Sequence, residues 1–107
     1  MTLTLWGLKT CDTCRKALKA LPEAAFRDVR AEPLTGAEIA ALLDEFGEAL
    51  VNRASTTWRG LSEAERALPP ADLLARYPAL MKRPVIRADD TWHLGWGPAV
   101  RAALGVA

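Results

Sequence analysis

The sequence has few of the residues on which disulfide-rich and metal-binding proteins depend. Its 107 residues include 2 cysteines, 1 histidine and 1 tyrosine. Two cysteines can form a single bridge, so the chain is not a disulfide scaffold. A structural zinc site takes about four ligands. Because only His93 could join Cys11 and Cys14 from the usual soft set, we expect no metal site.

Neither sign of charge is in excess, and no long apolar run is present. Lys and Arg number 14, Asp and Glu number 13, and the formal net charge is +1. Such a balance gives no general attraction to nucleic acids or anionic membranes. No apolar run reaches the roughly 18 residues that would cross a bilayer, and residues 1–5 lack the basic start of a signal peptide. We therefore expect a cytoplasmic protein with no membrane and no direct nucleic-acid partner.

Both cysteines lie in the stretch Thr-Cys-Asp-Thr-Cys-Arg-Lys at positions 10–16, after an apolar run and before apolar residues at helical spacing. A strand that leads into Cys-x-x-Cys at a helix start is typical of thioredoxin-like redox sites. Unpaired N–H groups and the helix dipole stabilise a thiolate there. Cys11 is the predicted nucleophile, and Cys14, on the same helix face, the predicted resolving thiol.

Two considerations speak against Cys11 and Cys14 as a redox pair. The alternative is a pair of buried, unreactive thiols, and the carboxylate of Asp12 would by itself raise the pKa of Cys11. The helix-start position and the positive charge of Arg15 and Lys16 favour the redox interpretation. We include Arg15 among the candidate substrate-binding residues.

The hydrophobic pattern predicts an α/β protein. A strand from Met1 to Trp6, a helix from Cys11 to Leu21 and a strand over 26–29 form a β-α-β unit with parallel strands. A helical insert is predicted at about 35–80. It contains two capping boxes, which begin at Thr35 and Ser62, and a further helix over 72–77.

The pattern returns to strands after Pro84. Strands over 85–87 and 91–94 are joined by a turn at Asp89-Asp90, and a helix over 98–104 follows. The order β-α-β, helical insert, β-β-α is that of a thioredoxin-like fold with an expanded middle. We predict one domain over residues 1–107 with a four-stranded mixed sheet.

Three motifs in this order resemble a known family. They are Cys-Asp-Thr-Cys-Arg-Lys-Ala at 11–17, Asn-Arg-Ala-Ser-Thr-Thr-Trp-Arg at 52–59, and Pro-Ala-Leu-Met-Lys-Arg-Pro-Val at 78–85. The chain resembles the arsenate reductase (ArsC)/Spx family, most closely its short YffB-like members. The resemblance covers essentially the whole chain and implies a thioredoxin-like fold in which the middle helices form a cap beside the cysteine.

The resemblance also implies roles for single residues. Cys11 matches the nucleophilic cysteine, and Arg83 matches the arginine that holds an oxyanion or lowers the pKa of the thiol. Pro84 matches the proline that is cis in thioredoxin-like folds and lies beside the substrate. Arg53 lies in the segment that supplies a second anion-binding arginine.

Three positions depart from the glutaredoxin-coupled arsenate reductases. Their histidine four residues before the cysteine is replaced by Gly7. Their third arginine falls in the last strand, where this chain has Leu-Gly-Trp at 94–96. Cys14 adds a second thiol to a site that has a single cysteine in those enzymes. These departures favour general thiol–disulfide chemistry over arsenate reduction.

The resulting hypothesis is a thiol–disulfide oxidoreductase acting on a disulfide or a small oxyanion. We expect no tightly bound cofactor, glutathione as a co-substrate, and glutathione or glutaredoxin as the reductant. The alternatives are an Spx-like redox-sensitive regulator that binds RNA polymerase, an arsenate reductase proper, and an inactive member retained as an interaction domain.

Overall fold

The computed structural model describes residues 2–106 and contains a four-stranded mixed sheet. The strands are β1 (Leu3–Gly7), β2 (Ala25–Asp28), β3 (Val85–Ala88) and β4 (Thr91–Leu94), in the spatial order β2-β1-β3-β4. β1 is parallel to β2 and antiparallel to β3, and β3 is antiparallel to β4. The predicted fold class, an α/β thioredoxin-like fold with a mixed sheet, is confirmed.

Six α-helices lie within residues 2–106: α1 (Asp12–Ala20), α2 (Gly36–Phe46), α3 (Thr56–Arg59), α4 (Glu63–Arg66), α5 (Pro70–Arg76) and α6 (Pro98–Ala103). Short 3₁₀ turns occupy Gly47–Leu50 and Pro78–Leu80. No helix in this part of the chain combines the length and the hydrophobicity that crossing a bilayer requires.

The chain divides into two compact units. The first, which we call the sheet unit, contains the chain up to Val29 and from Arg83 onward. The second, the helical unit, is Arg30–Lys82. The arrangement predicted from the sequence, one domain with a helical insert at about 35–80, stays a prediction.

The core of the sheet unit lies between one face of the sheet and its helices. Leu3 and Leu5 of β1 point to this face, whereas Thr4 and Trp6 are only partly buried, as the two-residue period of a strand requires. Leu5 pairs with Ile86. The buried cluster contains Leu3, Leu5, Ala17, Leu21, Ile86 and Ala88, and α6 packs against it.

The helical unit begins with the predicted capping box. Thr35 Oγ1 accepts a hydrogen bond from Glu38 N at 3.1 Å, and the Glu38 carboxylate accepts one from Thr35 N at 2.8 Å. α2 then buries Ile39 and Leu42 and packs against α5. As predicted, it stops at Gly47, whose φ of 60° is in the left-handed region that suits glycine.

The structure differs from the sequence prediction in several element bounds and in the middle section, and the predicted strand start at Met1 lies outside the described residues. α1 begins at Asp12 rather than Cys11, because Cys11 has an extended backbone (φ −86°, ψ 122°) and is the N-cap. The middle section has more helical pieces than the three predicted, including α3. A helix of one turn has too few residues to show a hydrophobic period, and α3 depends on Ser55 Oγ accepting from Trp58 N at 3.1 Å.

Candidate active site

The sheet brings the two cysteines and the Arg83-Pro84 pair to the same end of the inner strands β1 and β3. β1 is antiparallel to β3, and Trp6 near the end of β1 pairs with Val85 at the start of β3. Cys11 follows β1 in the chain, whereas Arg83 and Pro84 immediately precede β3. The first and third sequence motifs therefore lie at the same end of these two strands.

Backbone hydrogen bonds hold the loop that carries Cys11. Cys11 N donates to Leu8 O at 3.0 Å, and Lys9 N donates to Asp28 Oδ2 at 3.0 Å. Arg15 Nε donates to Lys9 O at 2.9 Å. These contacts place Cys11 at the start of α1, where the helix N–H groups and dipole favour a negative charge.

The environment of Cys11 favours its thiolate. Partial burial acts to raise its pKa, but hydrogen bonds from the Cys14 backbone N–H and from the Arg83 and Cys14 side chains, together with the charge of Arg83, outweigh burial and lower the pKa of Cys11 below its ordinary value of 9.0. The side chain is only partly buried. Cys11 thus has both properties of a reactive thiol, namely access and a low pKa.

Cys14 has the opposite environment, although it lies one helical turn away. Its side chain is fully buried. Burial, reinforced by the neighbouring charge of Cys11, raises the pKa of Cys14 to about 11 despite a hydrogen bond from the Leu8 backbone. Both cysteines are free thiols in this structure. The site therefore pairs an ionisable, accessible thiol with a protonated, buried one.

Pro84 lies between Arg83 and β3. The Arg83–Pro84 peptide bond is cis, as predicted. The Pro84 side chain is fully buried, and its carbonyl accepts a hydrogen bond from Gly95 N at 2.8 Å. The role of Pro84 in binding substrate stays a prediction.

Arg15 is placed beside the loop rather than on the sulfur of Cys11. Besides its bond to the Lys9 carbonyl, its guanidinium lies 3.6 Å from Asp12 Oδ1, and 63% of the side chain is exposed. The Asp12 side chain of this ion pair is also exposed to solvent. Substrate binding by Arg15 also stays a prediction.

Arg53 belongs to the helical unit. Its guanidinium lies 5.3 Å from the centre of the Trp58 ring and 3.5 Å from Glu48 Oε1. Arg66 also approaches Trp58, at 5.6 Å. The third predicted substrate-binding residue is thus held by an aromatic ring and a carboxylate within its own unit, and its contact with substrate stays a prediction.

Sequence reasoning noted Gly7 only as the place of an absent histidine, but the structure puts it against the site. A Cβ atom built on Gly7 would lie 2.4 Å from Cys14 Sγ. A glycine inside or at the end of a strand often marks the close approach of another group, so this signal was present in the sequence.

The described part of the chain offers little to a metal ion. Between residues 2 and 106, no group of three or more histidine, cysteine, aspartate or glutamate side chains is placed to hold one.

These features define the class of the protein. It is a thioredoxin-like α/β protein with a cysteine at the N-terminus of its first helix, a second cysteine one turn further on, and an arginine and a cis-proline at the same sheet edge.

Comparison with known proteins identifies the family. The sequence model of the ArsC family matches residues 6–103. An uncharacterized protein of Haemophilus influenzae is 36% identical over 103 residues, which are 88% of this chain and 90% of that protein. The chain belongs to the ArsC family.

Solved structures of similar proteins are consistent with this family assignment. The YFFB protein is 32% identical with a TM-score of 0.86, over 95% of this chain and 97% of that one. An arsenate reductase (ArsC) related protein from Brucella melitensis is 32% identical with a TM-score of 0.76, over 99% and 97%. An arsenate reductase from Vibrio cholerae, 15% identical with a TM-score of 0.76 over 100% and 98%, shares the fold.

Proposed function

We propose that this protein is a thiol–disulfide oxidoreductase in which Cys11 is the nucleophile and Cys14 the resolving thiol. The observation that carries the proposal is the contrast between the two sulfurs. The pKa of Cys11 is lowered and its side chain is accessible, whereas the pKa of Cys14 is raised to about 11 and its side chain is buried. Only one thiol of the pair is therefore ready to attack.

The reaction proceeds in two exchanges. The Cys11 thiolate attacks one sulfur of a substrate disulfide, forms a mixed disulfide and releases the other sulfur as a thiolate. Cys14 then loses its proton to the released thiolate or to water and attacks the Cys11 sulfur. The second substrate thiolate leaves, and a Cys11–Cys14 disulfide remains. The substrate disulfide has gained two electrons, which the pair has lost.

Glutathione is the proposed electron donor that closes the cycle, directly or through a glutaredoxin. Two glutathione thiols reduce the Cys11–Cys14 disulfide and leave as glutathione disulfide, so the electrons balance. This donor fits a cytoplasmic location, which we also propose, since the cytosol keeps thiols reduced.

Arg83 is the proposed anion-binding residue. Its charge and its hydrogen bond act on the Cys11 sulfur. A guanidinium can equally hold the negative charge of a departing thiolate, a glutathione carboxylate or an oxyanion, because its planar fork presents paired donors. Arg53 and Arg15 are proposed as further contacts for the substrate.

Disulfide substrates are favoured over arsenate by the departures at three positions. Gly7 replaces the histidine, and the Leu94-Gly95-Trp96 segment replaces the third arginine, of the glutaredoxin-coupled enzymes that the sequence resembles. Cys14 makes an internal disulfide available in place of a second protein thiol. Arsenate reduction remains the competing activity and is an arm of the test below.

The test compares three variants with cystine, a disulfide other than that of the electron donor, and with arsenate as substrates, and glutathione is the electron donor in both assays. We expect Cys11→Ser to lose turnover and Cys14→Ser to accumulate a mixed disulfide on Cys11, detected by intact-mass spectrometry. The conservative control Thr13→Ser, between the two cysteines, should keep turnover. An adduct on Cys14 in the Cys11→Ser variant, with turnover retained, would reverse the assignment. Turnover with arsenate alone would replace the proposed substrate.

A second candidate function is redox-controlled binding to RNA polymerase. The cysteine spacing shared with Spx-like proteins favours it, since closing the disulfide could switch a binding surface. Pull-down of purified polymerase with the reduced and the oxidised protein tests it. Binding in only one redox state, without turnover of disulfides, would favour this candidate over the enzyme.

A further inference from the structure

Gly7, the last residue of β1, lies against the buried thiol of the candidate site. A Cβ atom at this position would lie 2.4 Å from Cys14 Sγ and 3.4 Å from Cys14 Cβ. Carbon atoms pack best at about 3.5–4.0 Å, and sulfur is larger than carbon. The thiol of Cys14 thus occupies the volume that any side chain at position 7 would need.

The backbone of Gly7 is held in place. Gly7 is paired with Asp28 in the parallel ladder of β1 and β2, and its carbonyl accepts a hydrogen bond from Val29 N at 2.9 Å. A side chain added at Gly7 therefore cannot be relieved by moving the strand without breaking this pairing. The Cys14 side chain would have to move to remove the clash.

Cys14 has little freedom to give way. It is fully buried on the inner face of α1, and a helix leaves most side chains two of the three χ1 rotamers. The present position is also the one in which the Cys14 side chain interacts with the Cys11 sulfur. Turning the thiol away from Gly7 would change its approach to Cys11.

We propose that Gly7 is a positioning residue for the resolving thiol: its missing side chain provides the space in which Cys14 Sγ lies next to Cys11. This inference rests on the proposed function, because it assigns Gly7 a part in the second exchange. It also implies that a side chain at position 7, histidine included, would displace the thiol of Cys14 from its place beside Cys11.

The first experiment measures how readily the internal disulfide forms. Wild type, Gly7→Ala and the control Gly36→Ala are equilibrated in glutathione redox buffers, and the oxidised fraction is read by alkylation and mass spectrometry. Gly36 is a suitable control because a Cβ there meets nothing within 4 Å. We expect Gly7→Ala to lower the equilibrium constant for disulfide formation by about tenfold, or about 30 mV in potential, and Gly36→Ala to leave it unchanged.

The second experiment identifies the sulfur as the cause. The effect of Gly7→Ala on urea unfolding under reducing conditions is measured in wild type and in a Cys14→Ala background. The second background keeps the contacts with Cys14 Cβ at 3.4 Å and with Leu5 Cδ2 at 3.6 Å but removes the one with the sulfur. We expect Gly7→Ala to be destabilising, or to prevent folding, only where Cys14 is present. Equal effects in both backgrounds would overturn the proposal.

The two experiments separate this inference from the proposed function. A wild-type protein that forms no Cys11–Cys14 disulfide in any buffer would refute the proposed function. A wild type that forms it, with a folded Gly7→Ala variant of the same potential, would refute the role of Gly7 alone. An unfolded Gly7→Ala variant that Cys14→Ala restores would support the inference.

Discussion

At the scale of single residues, both Arg83 and the start of α1 stabilise the Cys11 thiolate. The pKa of Cys11 is lowered by the Cys14 backbone N–H and by Arg83 together, against the effect of burial. The helix start alone is common to many proteins. The arginine is the part that a substitution can remove without disturbing α1.

We predict that Arg83→Met raises the pKa of Cys11. For each pKa unit gained, the thiolate fraction at neutral pH falls about tenfold while the nucleophilicity of the thiolate rises about threefold, so alkylation slows about threefold. The measurement is the pH profile of iodoacetamide labelling at Cys11. Arg87→Met is the matched control, because Arg87 stacks on Trp92 at 4.9 Å. A shift of equal size in the control would contradict the role of Arg83.

The buried thiol of Cys14 makes stability depend on alkaline pH. Its pKa in the folded protein, about 11, is above the ordinary value of 9.0. The folded state therefore retains a proton that the unfolded chain releases, and stability is lost as the pH rises from about 9 through 11. At about 1.4 kcal/mol per pKa unit, the loss is on the order of 2–3 kcal/mol.

We predict that Cys14→Ala removes this alkaline loss. Urea unfolding at pH 8 and pH 11, compared between wild type and variant, isolates the contribution because other groups titrate in both proteins. The variant should be less stable than wild type at pH 8 and closer to it at pH 11. Parallel losses in the two proteins would show that Cys14 is not the titrating group.

Much of the residue-level site was predictable from the sequence, and the remainder has a physical reason. Cys11, Cys14 and Arg83 are found together because motifs at a helix start and before a strand report local structure and topology. The contact between Gly7 and Cys14 depends on the distance between β1 and α1, which no spacing along the chain reports. The contacts of Arg15 with the Lys9 carbonyl and Asp12 were equally inaccessible.

At the scale of elements, side-chain hydrogen bonds at the N-caps fix where α2 and α4 of the helical unit begin. The capping boxes at Thr35 and Ser62 are both present. Such boxes are visible in sequence because the pattern is short and local. α3 was not predicted because its single turn, Thr56–Arg59 after the N-cap Ser55, is too short to show a hydrophobic period.

We predict that Thr35→Ala destabilises the protein by about 1 kcal/mol, the usual value for losing an N-cap oxygen. Thr35→Ser, which keeps the acceptor for Glu38 N, should stay close to wild type. The midpoint of urea unfolding measures both variants. Equal losses from alanine and serine would assign the effect to the methyl group of Thr35 rather than to the cap.

At the scale of the whole molecule, the sheet order places β1, the strand that leads to Cys11, in the interior of the sheet. β1 has a hydrogen-bonded neighbour on each side, and its Leu5 is fully buried. β4 is an edge strand whose residues are exposed or only partly buried. The sequence pattern predicted the strands and the parallel β1–β2 pair, but not the spatial order β2-β1-β3-β4, which the structure provides.

We predict that the amides of β1 exchange with solvent only on global unfolding, whereas those of β4 exchange through local opening, because edge strands have fewer buried contacts. Native-state hydrogen exchange resolved by residue tests this order. Protection of β4 equal to that of β1 would contradict it.

The central claim is that one thiol of the pair is activated and the other is not. The most direct measurement is the pH dependence of alkylation of both cysteines in the reduced wild-type protein, followed peptide by peptide with mass spectrometry. We expect a midpoint for Cys11 below its ordinary pKa of 9.0 and almost no labelling of Cys14 until strongly alkaline pH. A midpoint for Cys11 at or above that value, or faster labelling of Cys14, would show that Cys11 is not the activated thiol of the pair.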